Sequence, residues 1–174
     1  GNIALCRNVE QIAYADQTLA VSAAASFGNV DLTLTQIYVA AFNRAPETGG
    51  YNYWVGEMAF RGLLGVADVI FSLPTVKAIY PDNLSNTAFV EAIYQNVFDR
   101  ASDAEGSAYW TGEMDRGLSR GKLVIDMSTA ALGTPDGTPG KDYFQDRVDW
   151  ALYAVAYQAR EHIELTPSHL AELT

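Results

Sequence analysis

The chain has few of the residues that carry most enzyme chemistry and most covalent cross-links. Cys6 is the only cysteine, so no internal disulfide can form and a zinc site of clustered cysteines is excluded. The two histidines, His162 and His169, belong to no HExxH motif, and there is no GxSxG, P-loop or dinucleotide-binding motif. We therefore expect no enzyme activity and no resident cofactor.

Basic residues and long apolar runs are also scarce. Eleven lysines and arginines against 21 aspartates and glutamates give a formal net charge of −10, which disfavours nucleic acid and anionic membranes as partners. No apolar stretch approaches the roughly 20 residues of a membrane-spanning helix, so direct membrane insertion is not expected. The opening, Gly1 to Ala4, lacks the basic region of a signal peptide, and we expect none within this sequence.

The sequence does contain an internal repeat. Residues 37–58 align without gaps to residues 93–114, and 11 of the 22 pairs are identical. The first copy reads IYVAAFNRAPETGGYNYWVGEM and the second reads IYQNVFDRASDAEGSAYWTGEM. Because chance does not produce such a match, we interpret it as a duplication, with repeat A at about 33–75 and repeat B at about 89–130.

Each copy predicts a helix-loop-helix-loop-helix unit. Apolar residues at helical spacing open the first helix, and a basic residue followed by glycine, at Arg61-Gly62 or Arg116-Gly117, predicts the end of the second. The predicted fold is all-α, a single compact domain spanning residues 1–174 with six to eight helices. The two copies are expected to pack through their first helices by pseudo-two-fold symmetry.

Short loops are predicted between the first and second helices. Asn43 and Asp99 are residue types that turn the chain after a helix. Pro46 suits the first turn of the second helix, and Ser102 with Glu105 three places on is the pattern of a capping box. The loop of each copy is therefore expected to be well defined.

The segments outside the repeat are less regular. Residues 4–26 are rich in alanine and compatible with a helix, and a long amphipathic helix is predicted at about 142–164. The stretch GTPDGTPG, residues 133–140, is predicted to be a surface loop because glycine and proline disfavour regular structure.

Six repeat residues are expected to hold each copy together: Arg44, Trp54 and Glu57 in the first, and Arg100, Trp110 and Glu113 in the second. We predict that Arg44 pairs with Glu57, and Arg100 with Glu113, and that both tryptophans are buried. The alternative is a glycan-acting hydrolase in which the two glutamates flank a cleft. A buried carboxylate without an arginine partner would favour that alternative.

The aromatic residues beside the tryptophans are candidates for ligand stacking. Adjacent residues on a helix point about 100° apart, so a buried tryptophan leaves its neighbouring tyrosine free. We expect Tyr51, Tyr53 and Tyr109 to present ring faces that could stack on sugars, or contact another protein.

Three acidic residues make a weak candidate for a metal site. Asp99, Asp103 and Glu105 could ligate calcium, which prefers several oxygen ligands, but their spacing is not that of an EF-hand. Helix capping explains the same residues more simply.

The string IYxxxFxRxxxxxGxxYWxxEM, found in register in both copies and followed by an Arg-Gly helix end, resembles family 4214 of the domains of unknown function. The resemblance covers roughly residues 33–130. Members of that family occur, often in tandem, in large bacterial proteins of the exported, calcium-repeat or surface-layer kind, and their fold is thought to be related to phycobilisome linker domains. The resemblance implies a secreted or cell-surface module. We expect it to mediate protein self-association or attachment to surface polysaccharide.

Overall fold

The computed structural model of the protein describes residues 11–14, 17–20 and 29–171. Helices occupy most of residues 29–171, so the predicted all-α class is confirmed. The eight helices of the described residues are α1 (Asn29–Phe42), α2 (Thr48–Ser72), α3 (Pro74–Lys77), α4 (Asn86–Phe98), α5 (Ala104–Asp115), α6 (Arg120–Leu132), α7 (Pro139–Glu161) and α8 (Pro167–Ala171).

Two short paired strands lie within residues 4–26, a segment that was interpreted as compatible with a helix. Strands β1 (Gln11–Tyr14) and β2 (Gln17–Ala20) pair antiparallel, with Ile12 opposite Leu19. Alanine content suggested a helix, but β-branched and aromatic residues such as Ile12, Tyr14 and Thr18 favour strands. The helix prediction is therefore wrong for these two segments.

Glycines break the helices where the Arg-Gly pairs predicted. Gly62 has φ 68° and ψ 170°, so it divides α2 into two helical parts although the helix is otherwise continuous. In the second copy Gly117, with φ 106°, lies between α5 and α6. Each copy thus contains three helical segments in the predicted order.

The first helices of the two copies lie at the centre of the core. Helix α1 contacts α2, α4, α6 and α7, and its residues from Ile37 to Ala41 are all buried. A helix surrounded on most sides needs apolar residues around most of its circumference, and the sequence of α1 supplies them. The contact of α1 with α4 is as predicted, while the pseudo-two-fold relation between the copies stays a prediction.

Helix α7 joins the copies to the C-terminal residues. It begins at Pro139, three residues before the predicted start, because proline fits the first turn of a helix. The buried Gln158 side chain donates to the Pro46 carbonyl (3.1 Å) and accepts from the Leu165 amide (2.9 Å). This one amide ties the loop of the first copy to the chain beyond α7.

The second helices begin later than predicted. In the first copy α2 starts at Thr48, so Pro46 precedes the helix. In the second copy the N-cap is Asp103, whose Oδ1 accepts from the Gly106 amide (2.8 Å). The predicted capping box at Ser102 is wrong, because the amide and hydroxyl of Ser102 both donate to Glu91.

Candidate interaction surface

Arg44 fixes the loop after α1. Asn43 ends α1 with φ 54°, which turns the chain as predicted and brings Arg44 back over the helix. The guanidinium carbon lies 5.5 Å from the ring centre of Tyr38 and 5.8 Å from that of Phe42, within the range of a cation–π contact. Arg44 also pairs with Glu47, at the N-terminal end of α2.

The second copy builds its loop with the same contacts. Asp99 has φ 52°, and the Arg100 guanidinium carbon lies 5.5 Å and 5.6 Å from the ring centres of Tyr94 and Phe98. Arg100 pairs with Asp103 at 3.3 Å. The two loop arginines are therefore positioning residues, already engaged by rings and by an acid of their own loop.

The predicted pairing of each loop arginine with the repeat glutamate of its copy is wrong. The observed pairs are Arg44–Glu47, Arg61–Glu57, Arg100–Asp103 and Arg116–Glu113. Glu57 lies two to three turns along α2 from the loop and finds Arg61 one turn further on, which is the favourable i, i+4 spacing on a helix. The arginine one turn away on the same helix is thus a nearer partner for Glu57 than the loop arginine is.

The repeated Tyr-Trp pairs divide between the core and the surface. Trp54 is buried as predicted, whereas Trp110 is only half-buried. Tyr53 and Tyr109 are 59% and 56% exposed, as expected for rings available to a ligand. Each tyrosine ring contacts its tryptophan edge-on, with centroids 4.8 Å and 4.9 Å apart.

Tyr51 is not available for stacking, so that prediction is wrong. It lies three residues before Trp54, on the same side of α2, and is buried with it. The second copy has the half-buried Ser107 at this position. The structure instead exposes Phe60, which is 88% accessible and was missed because Arg116 occupies the matching place in the second copy.

The acidic loop does not gather ligands around one point. Asp99 accepts from Gln95 Nε2 (3.1 Å), and Asp103 is engaged by Gly106 and Arg100. The Gly106 amide, and then the Arg100 side chain, lower the pKa of Asp103. Within the described parts of the chain, no three His, Cys, Asp or Glu side chains are grouped to hold a metal ion.

The repeat glutamates do not resemble the acids of a hydrolase. Both are paired with an arginine, and neither lines the groove of about 510 Å³ between the end of α2 and the beginnings of α4 and α6. Polar and charged side chains of that groove bind one another: Ser119 donates to Asp68 and Lys77 pairs with Asp82. The groove also contains none of the tyrosines predicted to stack on ligands.

One carboxyl group of unusual environment was missed by sequence reasoning. Asp149 on α7 is half-buried, and this burial raises its pKa. Its side chain accepts a hydrogen bond from Gln145 Nε2 (2.9 Å). The amphipathic pattern of α7 could place Asp149 on the helix but not at the edge of the core.

The remaining candidates lie away from the repeat. His162 ends α7 with φ 55°, and the exposed His169 in α8 interacts with Thr166. Cys6 lies outside the described residues. None of the described helices is both long and apolar enough to cross a membrane.

Comparison with known families agrees with the repeat motif. A family model described as "Domain of unknown function (DUF4214)" matches residues 67–131. The matched segment runs from the second part of α2 into α6, and so includes the second copy of the motif. No curated protein and no solved structure matches the chain. The resemblance to this family of unknown function is therefore confirmed over residues 67–131.

Proposed function

We propose that this chain is a non-enzymatic assembly module of a larger secreted or cell-surface protein, and that it holds subunits together by self-association. The observation that carries the proposal is the exposure of Phe60 on α2, of which 88% is accessible. Removing a phenylalanine side chain from water stabilises a contact by about 1.5–3 kcal/mol. The extracellular location follows only from the kinds of protein in which the resembled family occurs.

The apolar contact would extend beyond one ring. Tyr53 lies seven residues before Phe60, which is two helical turns and therefore the same side of α2. Leu64, 42% exposed, follows the break at Gly62. A two-fold contact would bring this same patch from two chains together, as in most homodimers.

Electrostatics would regulate this association. With a net charge of −10, two copies repel each other, although the Arg61–Glu57 pair is locally neutral. Salt screens such repulsion, with a Debye length of about 8 Å at physiological ionic strength. We propose no resident cofactor, and assign to calcium at most a role as a bridging ion between acidic surfaces.

Light scattering of the purified chain across a concentration series, with calcium and with chelator, tests the proposal. The molar mass should rise with concentration, and Phe60→Ala should reduce the rise. Ile79→Ala is the matched control, because Ile79 is 57% exposed but lies after α3, away from Tyr53 and Phe60 in the sequence. A wild-type monomer under every condition, or equal behaviour of the two variants, would refute self-association through Phe60.

Attachment to surface polysaccharide is a second proposed function. It is favoured by Tyr53 and Tyr109, which are exposed to a similar extent at equivalent positions and are both held edge-on by a tryptophan. Rings fixed in this way lose little conformational freedom when they bind. Tyr53 belongs to both proposed surfaces, but Phe60 has no aromatic counterpart in the second copy, so Phe60 distinguishes self-association from polysaccharide binding.

A further inference from the structure

We propose that α2 and α5 carry two equivalent sites for a neutral polysaccharide. The residues are Tyr53, Gly56 and Glu57 in the first site, and Tyr109, Gly112 and Glu113 in the second. This inference rests on the second function proposed above, and adds to it the complete sites and the class of polymer. The exposed tyrosine alone would not define a site, and the glycine and glutamate beside it complete each one.

The three residues of each site lie on one side of their helix. Relative to the tyrosine, the glycine is three places and the glutamate four places along the chain, and both spacings make neighbours on a helix surface. Gly56 lies inside α2 and Gly112 inside α5. Each site is thus a ring, a gap without a side chain, and a carboxylate, next to one another.

Neither backbone conformation nor packing within the chain explains why each site contains a glycine. Gly56 is exposed, its φ is not positive, and a Cβ built on it would meet nothing within 4 Å. At Gly112 the nearest atom would be Arg116 Nη1 at 3.5 Å, an ordinary contact. Because glycine inside a helix lowers stability relative to alanine, a different requirement must be met here. Close approach of a ligand to the helix backbone is such a requirement.

The exposed positions around each site differ between the copies, whereas the three site residues do not. The differing pairs are Asn52/Ala108, Ala59/Asp115 and Phe60/Arg116. Trp54 and Met58 recur at positions that are buried in the first copy, so packing explains them. Packing does not explain the recurrence of an exposed tyrosine, or of a glycine that is exposed in the first copy and half-buried in the second.

The geometry suits a sugar ring. Tyr53 is held by Trp54 with an interplanar angle of 73°, and Tyr109 by Trp110 with 75°. A pyranose has an apolar face that can stack on such a ring and hydroxyl groups at its edge. The Glu57 carboxylate offers acceptors, and the guanidinium of its partner Arg61 offers donors, beside the ring for those hydroxyls.

Charge favours a neutral polymer over an acidic one. The chain carries −10, which disfavours an acidic polysaccharide. Each site is close to neutral, because its glutamate is paired with an arginine. Two equivalent sites in one chain also fit a ligand with repeating units better than a single small molecule.

Native affinity electrophoresis through gels containing dextran, galactomannan or hydroxyethyl cellulose tests the inference, with alginate as the acidic comparison. At least one neutral polymer should retard the wild type, and alginate should not. Tyr53→Ala with Tyr109→Ala should weaken binding about tenfold or more, as expected for loss of buried ring area. Either single variant should retain part of the retardation, because one site remains.

The glycines provide the discriminating variant. Gly56→Gln with Gly112→Gln should abolish retardation by covering both gaps, yet raise the melting temperature by about 2–4 °C or more, because glutamine is the better helix former. A merely structural glycine would instead give a lower melting temperature. That result, or wild-type migration unaffected by all three neutral polymers, overturns the proposal.

Self-association can be separated from polymer binding in the same experiments. Phe60→Ala should retain retardation in the gel whether or not the wild type self-associates. The glycine double variant could instead lower the molar mass in light scattering and leave retardation unchanged. The surfaces around Gly56 and Gly112 would then contact a second copy of the chain, and the polysaccharide sites would be refuted. If Phe60→Ala does not reduce the rise in molar mass, self-association through Phe60 is refuted, but neutral polymers should still retard the protein.

Discussion

The crossing of α2 and α6 is a contact where a single added methyl group should have a clear effect. Gly121 is buried near the start of α6. A Cβ built on it would lie 2.8 Å from the carbonyl carbon of Ala67 and 2.8 Å from the backbone nitrogen of Asp68. Backbone atoms cannot rotate out of the way, so in Gly121→Ala the two helices must separate.

The size of the effect follows from two opposing contributions. Overpacking of a well-packed contact typically costs about 1–3 kcal/mol. Alanine recovers less than about 1 kcal/mol through its helix propensity, because Gly121 lies in the first turn. We therefore expect Gly121→Ala to lower the free energy of unfolding by about 1–2 kcal/mol, which lowers the melting temperature by about 2–8 °C for a chain of this length.

Gly56→Ala is the matched control, since it makes the same chemical change in a helix where a Cβ meets nothing. It should increase the free energy of unfolding by up to about 1 kcal/mol. Urea unfolding followed by circular dichroism measures both variants, with the slope m showing whether the denatured state has changed. Shifts of the same sign and size would refute the close approach of α6 to α2.

Two further predictions concern the backbone and pH. Gly62→Ala should lower the free energy of unfolding by about 1–3 kcal/mol, because φ 68° with ψ 170° is a region used almost only by glycine; an unchanged urea midpoint would contradict this. Burial raises the folded-state pKa of Asp149, so its stabilising contribution is complete below the unfolded pKa of about 3.9 and is lost as pH rises through the folded value. Asp149→Asn should therefore melt higher than the wild type at pH 7 and equally at pH 3; a difference independent of pH would contradict the assignment.

Local chemistry explains which features could be read from the sequence. The left-handed turns at Asn43 and Asp99 and the helix breaks at Gly62 and Gly117 depend on backbone preferences of one or two residues. Such preferences act wherever those residues occur. The repeat also made each prediction twice, and both copies show the predicted break at the glycine.

Predictions that depended on a partner elsewhere in the chain were less successful. The choice of Asp103 over Ser102 as N-cap is decided by Glu91 on α4, which accepts from Ser102 and removes it from capping. That choice is not contained in the sequence spacing of one copy. The burial of Tyr51 is different, because its spacing of three residues from Trp54, which was expected to be buried, already places it on the core side of α2. The second copy gives no guide at this position because it has Ser107 there.

The C-terminal residues make the two copies unequal. Glu164 accepts from the Gly49 amide (3.1 Å) at the start of α2, and Gln158 binds the loop before it. In the second copy the start of α5 is capped from within, by Asp103.

This asymmetry agrees with the deeper burial of Trp54 than of Trp110. Tyr53 and Tyr109 nevertheless differ in exposure by only three percentage points, 59% against 56%. The unequal surroundings of the two copies therefore do not change the exposure of the two tyrosines on the proposed binding faces. For this reason we expect the two single tyrosine variants to weaken polymer binding to a similar extent, although the helices that carry them are anchored differently.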